Sequence, residues 1–157
     1  MHHAQHTDHH SKPHNLKHVA FMATAHCLTG CAIGEVLGMV IGTALGWSAF
    51  ATIALAVALA FFFGYLLTII PLLKSGMKLS KVLPLAFASD TISITVMEIV
   101  DNAVLLLIPG AMDAHLDSPL FWGSLALALA VAFVVAFPVN IYLIAKGRGH
   151  AIIHGHH

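Results

Sequence analysis

The sequence predicts an all-α, polytopic membrane protein, a bundle of four transmembrane helices with both termini cytoplasmic. Three observations carry that prediction. The 157 residues are 59% hydrophobic and only 9% charged, with a mean hydropathy of +0.88, a composition outside that of ordinary soluble domains. The apolar residues come in long unbroken runs, which favours spanning helices over the alternating pattern of a closed barrel. All seven Lys and Arg residues fall at one end of the bundle that those runs build.

Each element follows from local signals. Residues 1–17 (MHHAQHTDHHSKPHNLK) hold six histidines and little that packs, so they read as a His-rich disordered tail with no apolar core of a cleavable signal peptide. From His18 to Leu73 the apolar stretch is too long for one span. Gly42, Gly46, Trp47 and Ser48 mark its turn, giving helices over about 18–45 and 49–72. Pro71 and the segment KSGMKLSK close that hairpin. A third helix runs over about 82–108, ended by Pro109-Gly110, and AMDAHLDSP leads to a fourth over about 119–145. Residues 146–157 form a second His-rich tail behind the 18–145 membrane domain. Lys12, Lys17, Lys74, Lys78, Lys81, Lys146 and Arg148 then share one face, and the opposite loops carry Asp113 and Asp117. The positive-inside rule places the termini in the cytoplasm, as in a multi-pass protein of a bacterial inner membrane.

The first helix carries two stripes. Gly30, Gly34, Gly38, Gly42 and Gly46 recur every four residues, a glycine zipper that lets a neighbouring helix approach closely. Beside it run Cys27, Cys31, Glu35 and Met39, also at i, i+4 steps, a ladder of thiol, carboxyl and thioether suited to binding a metal ion. His26 adds an imidazole. Buried inert thiols and a structural carboxyl hydrogen bond are the plain alternatives for this row.

The third helix supplies the facing wall. In SDTISITVMEIVDN, helical spacing groups Asp90, Met97 and Asp101, with Glu98 and Asn102 on the flank and Ile92, Val96, Ile99 and Ala103 opposite. Lipid gives no reward for such polarity, so the face must meet protein, water or an ion. Glu98 and Asp101, one turn apart, repel if both are ionised; either one holds a proton or a cation lies between them. Neutral carboxyls bonded to Ser or Thr are the structural alternative. The tails bind metal through neutral imidazoles or are simply solvated. The fourth helix, with Pro138 and Asn140, reads as a scaffold without chemistry.

The segments ATAHCLTGCAIGEVLGMVIGTALGW, SDTISITVMEIVDNAVLLLIPGAMDA and AFVVAFPVNIYLIAKGRGHA resemble a bacterial membrane family catalogued as domain of unknown function 4396. The resemblance spans about residues 18–150. It implies a small multi-span bacterial membrane protein and assigns no activity and no catalytic residues.

Function therefore rests on the polar residues. The leading expectation is a protein that transports or handles a copper- or zinc-class ion, held at membrane depth by Cys27, Cys31, Glu35, Met97, Glu98, Asp101 and His26, with Asp90, Asn102 and Met39 as secondary polar groups. The alternatives are a proton-coupled carrier of a small solute, a membrane thiol-redox protein using Cys27 and Cys31, and an accessory subunit without its own activity. A carrier or binding role is favoured over an enzyme. The expected partners are the lipid bilayer, the ion or solute, and further copies of the chain, since four helices are few to enclose a path. No nucleic-acid partner is expected.

Overall fold

The structure, a computed structural model, describes residues 13–154. Four helices in chain order make up the fold: α1 (Pro13–Ala44), α2 (Ala49–Lys74), α3 (Leu79–Leu107) and α4 (Pro119–His154). All four are long and apolar enough to cross a membrane, and the described residues contain no strand. The expected helices are all present. α1 begins five residues earlier than expected and α4 runs nine residues further, so part of each expected tail continues its helix. The reason is local: neither His14, Asn15, Leu16 and Lys17 nor the segment after Ala145 contains a proline to stop the helix, and Gly147 and Gly149 weaken α4 there without ending it. The remaining tail positions, 1–12 and 155–157, with the histidines they hold, lie outside the described residues.

Turn chemistry sets the helix ends. Gly46 follows α1 with a φ of 66°, a left-handed conformation that costs glycine little. Its neighbour Trp47 donates its backbone N–H to the Gly42 carbonyl at 2.9 Å. Ser48 caps α2, its hydroxyl accepting from the Ala51 N–H at 3.4 Å, and Ser118 accepts from the Leu120 N–H at 3.1 Å beside Pro119, the first residue of α4. The Trp122 indole donates to the Leu116 carbonyl at 2.8 Å and ties the α3–α4 loop to α4. One end of the bundle thus carries the α1–α2 and α3–α4 turns, here the loop end. The other carries the start of α1, the end of α4 and the lysines at 74, 78 and 81, here the terminal end.

Packing is uneven. α1 lies most extensively on α2 and α3 on α4, α1 also meets α4 and α3, α2 meets α3, and the backbones of α2 and α4 stay apart among the described residues. The α1–α2 approach is set by small residues: a Cβ on Gly30 would sit 2.6 Å from the Gly64 Cα, one on Gly34 would strike the Ala60 backbone, and one on Gly38 that of Ala56. Gly42 abuts the Thr52 side chain. Gly46, expected in the same stripe, meets nothing within 4 Å and belongs to the turn instead, because the helix ends before it. With α2 and α4 apart, α1 and α3 touch across the middle, and nearly all the ionisable groups at membrane depth sit on those two helices.

Candidate functional site

The faces of α1 and α3 that meet are the polar ones, and they form a column of side chains along the bundle. Towards the loop end Glu35 faces Asp101. One turn further in, Cys31 stands beside Glu98. Cys27 comes next, near Asp90 and Ser93. At 1.5 Å per residue, Cys27 and Glu35 are separated along α1 by about 12 Å. The column exists because both helices repeat their polar residues at three- and four-residue intervals, so that each stripe stays on one side for about two turns.

Burial is nearly complete: Glu35 is 3%, Glu98 5% and Asp101 1% exposed. As bare carboxylates their six oxygens meet no donor, and Asp90 Oδ2 and Ser93 Oγ are likewise without one. Glu35 with Asp101, and Cys31 with Glu98, nonetheless lie within hydrogen-bond reach, so a proton on one member of each pair bridges it. The second Asp90 oxygen accepts from the Ser89 hydroxyl at 2.9 Å. Each carboxylate charge at membrane depth costs about 2.5–3.5 kcal/mol. Three together approach the entire stability of a typical domain, about 5–15 kcal/mol, before their mutual repulsion is counted. The cluster therefore holds protons or an exogenous cation.

The carboxyls floor a cavity. A space of about 380 Å³ runs from Glu35, Glu98 and Asp101, past Met39, Thr43, Thr52, Asn102 and Ser124, to Trp47, Asp113 and His115 at the loop end. Asp113 and His115 are exposed and the three carboxyls are buried, so the cavity joins the loop-end surface to the column.

The sequence-predicted residues fall into three groups. Cys31, Glu35, Glu98 and Asp101 come together, and Met39 and Asn102 line the cavity above them. Asn102 is occupied within its own helix, its amide donating to the Glu98 carbonyl at 2.8 Å. Cys27 and Met97 are buried in an apolar cluster with Cys31, Ala60, Ile94, Ala132 and Ala136, and both cysteines are free thiols. His26 stands apart, exposed, with Nδ1 3.1 Å from the Met22 carbonyl, because adjacent residues on a helix point 100° apart and Cys27 takes the inward direction. Among the described residues no group of three His, Cys, Asp or Glu side chains is placed to hold a metal ion.

Two polar contacts that the sequence reading left unassigned frame the column. Asn140 on α4 donates its side-chain amide to the Thr24 hydroxyl at 2.8 Å, both buried, while Thr24 donates onward to the Ala20 carbonyl at 2.7 Å. On the α2–α3 seam the Tyr65 and Thr91 hydroxyls are 2.6 Å apart. Thr91 donates to the Phe87 carbonyl, so Tyr65 is the donor in that pair. Asn140 was visible as a lone amide in an apolar helix; nothing in the sequence pointed to Thr24 as its partner.

The comparisons with known proteins give a family and no activity. No curated protein and no solved structure matches the chain. The family described as Domain of unknown function (DUF4396) matches residues 18–149, and the chain belongs to it.

Proposed function

We propose that this DUF4396 member is a proton-coupled carrier of a small cationic solute, with Glu35, Glu98 and Asp101 holding protons and the cation in turn. The observation that carries the reading is the cluster of three buried carboxyls, facing one another and the Cys31 thiol, at the floor of an open cavity. A purely structural role calls for a fixed polar partner, as Asn140 is for Thr24, whereas carboxyls that face one another are satisfied only while they hold protons. A cavity of about 380 Å³ is far larger than a bare ion needs and lies within the range of small-molecule pockets, about 300–1,000 Å³. Its walls fit an organic cation: Trp47 offers an aromatic face, Met39 and Met112 offer polarisable apolar surface, and the carboxyls supply the counter-charge.

In this mechanism the solute-free cluster is held neutral by protons. A cation reaching the floor is attracted by the carboxylate left when a proton departs to water, and the ion pair replaces the O–H bond. Release of the cation is the reverse, with proton uptake. The charge balance keeps the buried site close to neutral in both states, which is what its depth requires. The groups facing the cluster are Cys31 on α1 and, at the cavity mouth, Asp113 and His115; α2 and α4 line the cavity without a titratable side chain. The basic residues at the terminal end support reading that end as the cytoplasmic one, with the cavity opening outward.

The copper- or zinc-class reading has less support. Its core is the neighbouring pair Cys31 and Glu98, and no third ligand joins them in a metal-holding arrangement among the described residues. The test is proton release. Tetramethylammonium added to the purified protein in weakly buffered detergent should bind with acidification of the medium, and binding should weaken as pH falls, because protonation removes the charge the cation needs. Glu98→Gln should suppress both. Binding without proton release would remove the proton-coupled mechanism.

A further inference from the structure

The carboxyl cluster has a second approach, from the side. α2 and α3 are held together towards the terminal end, where Tyr65 donates to Thr91 at 2.6 Å and its ring lies 4.6 Å from that of Phe87. Loop-ward of this clasp the two helices part. The gap is a shallow, almost wholly apolar groove walled by Phe61 on α2 and by Thr95, Ile99 and Leu106 on α3. Ile99 is 65% and Leu106 71% exposed, on a surface that a spanning helix turns to lipid. Five residues, Ile53, Val57, Glu98, Asn102 and Met112, border both this groove and the loop-end cavity. The two spaces therefore adjoin at Glu98, which is 5% exposed and has the Cys31 thiol beside it but no cation.

We infer that the α2–α3 groove is a side opening through which a lipophilic organic cation, an amphipathic amine or quaternary ammonium dissolved in the bilayer, reaches Glu98. This rests on the carrier reading and names its substrate class. The groove is as apolar as an acyl chain, and lipid alone would fill it. Lipid offers nothing to replace the proton that Glu98 gives up, however. A hydrocarbon body carrying one positive group satisfies both parts: its apolar portion covers Phe61, Ile99 and Leu106, and its charge meets the carboxyl at the back. A strongly hydrated cation has no reason to leave the loop-end route. Besides Glu98, Thr95 and Asn102 are the polar side chains along the groove; Thr95 donates to the Thr91 carbonyl and Asn102 to that of Glu98, so the groove offers the passenger little competing polarity.

Photolabelling tests the inference. An aryl-alkyl quaternary ammonium bearing a diazirine would be added to the full-length protein in lipid vesicles, irradiated, and the labelled residues mapped by mass spectrometry. The expected result is labelling at Phe61, Thr95 or Ile99 that falls at least about tenfold in Glu98→Gln, the equivalent of losing about 1.4 kcal/mol of binding. Ile99→Phe, on a lipid-facing position that leaves the fold intact, should reduce labelling of the groove while tetramethylammonium binding through the loop end persists. Groove labelling equal in the parent and Glu98→Gln would show ordinary partition into lipid and overturn the proposal. Labelling confined to Thr43, Met112 and His115 would overturn the side opening and leave the carrier reading standing. Loss of tetramethylammonium binding in the parent protein would overturn both.

Discussion

On the side of α1 turned to α2, Gly30, Gly34 and Gly38 bring the helix so close that no side chain fits between backbones. On the side turned to α3, the row Cys27, Cys31 and Glu35 meets Asp90, Glu98 and Asp101 and leaves eight buried polar atoms of the site, counting Ser93, without a donor. Both stripes repeat at four-residue steps and both are buried, yet one spends its geometry on contact and the other on unmet polarity. In a bilayer, where helices gain no hydrophobic free energy from one another, close packing holds the bundle together. The unmet carboxyls oppose it. Stability and function are thus divided between two sides of one helix, and substitutions on the two sides should differ in sign.

The largest stability effect belongs to the glycine side. Gly34→Leu forces a side chain into the Ala60 backbone and should destabilise the protein by on the order of 3 kcal/mol, seen as a large fall in Tm in detergent. A Gly34→Leu protein as stable as the parent would break the comparison at its root. On the other side, Glu35→Leu removes one of a cluster of buried carboxyls that face one another and should be neutral or stabilising by about 1 kcal/mol, while abolishing cation-linked proton release. A large loss of stability there would mean that Glu35 is held by a structural partner.

Between these extremes lies the Asn140–Thr24 bond, which joins α4 to α1 with both partners satisfied. Asn140→Ala should cost about 1 kcal/mol, measured by thermal unfolding, without altering proton release. Coupling to Thr24→Val in a double-mutant cycle should be positive and of similar size. The smallest effect is expected for Cys31→Ser: less than about 1 kcal/mol in stability and unchanged proton release. Loss of release in that variant would move the thiol into the working site and revive the soft-metal reading.

Much of this division was legible beforehand for a definite reason. Glu35, Glu98 and Asp101 stand out because any carboxyl inside an apolar run needs an explanation, and the glycine repeat reveals a close helix contact wherever it falls. Helix ends could be read from Gly46-Trp47-Ser48 and Pro109-Gly110, whose turn chemistry is local. Other features depend on how helices cross. The separation of α2 from α4, the cavity beneath Trp47 and His115, and the parting of α2 from α3 beyond Tyr65 have no signature in residue spacing. His26 and Cys27, adjacent in sequence, point in different directions because one residue is 100° of rotation on a helix. The Thr24–Asn140 pair lies 116 residues apart in sequence, and nothing on α4 announces which residue on another helix it meets.

The account's central claim is that protons and a cation exchange at one carboxyl cluster. Its most direct test is a flux measurement in proteoliposomes enclosing a pH-sensitive dye. An inward gradient of tetramethylammonium should drive protons out of vesicles containing the parent protein, raising internal pH without a membrane potential. Vesicles containing Glu98→Gln should match protein-free vesicles. No proton movement with the parent protein, or movement that persists in the combined Glu35→Gln, Glu98→Gln and Asp101→Asn variant, would contradict the account.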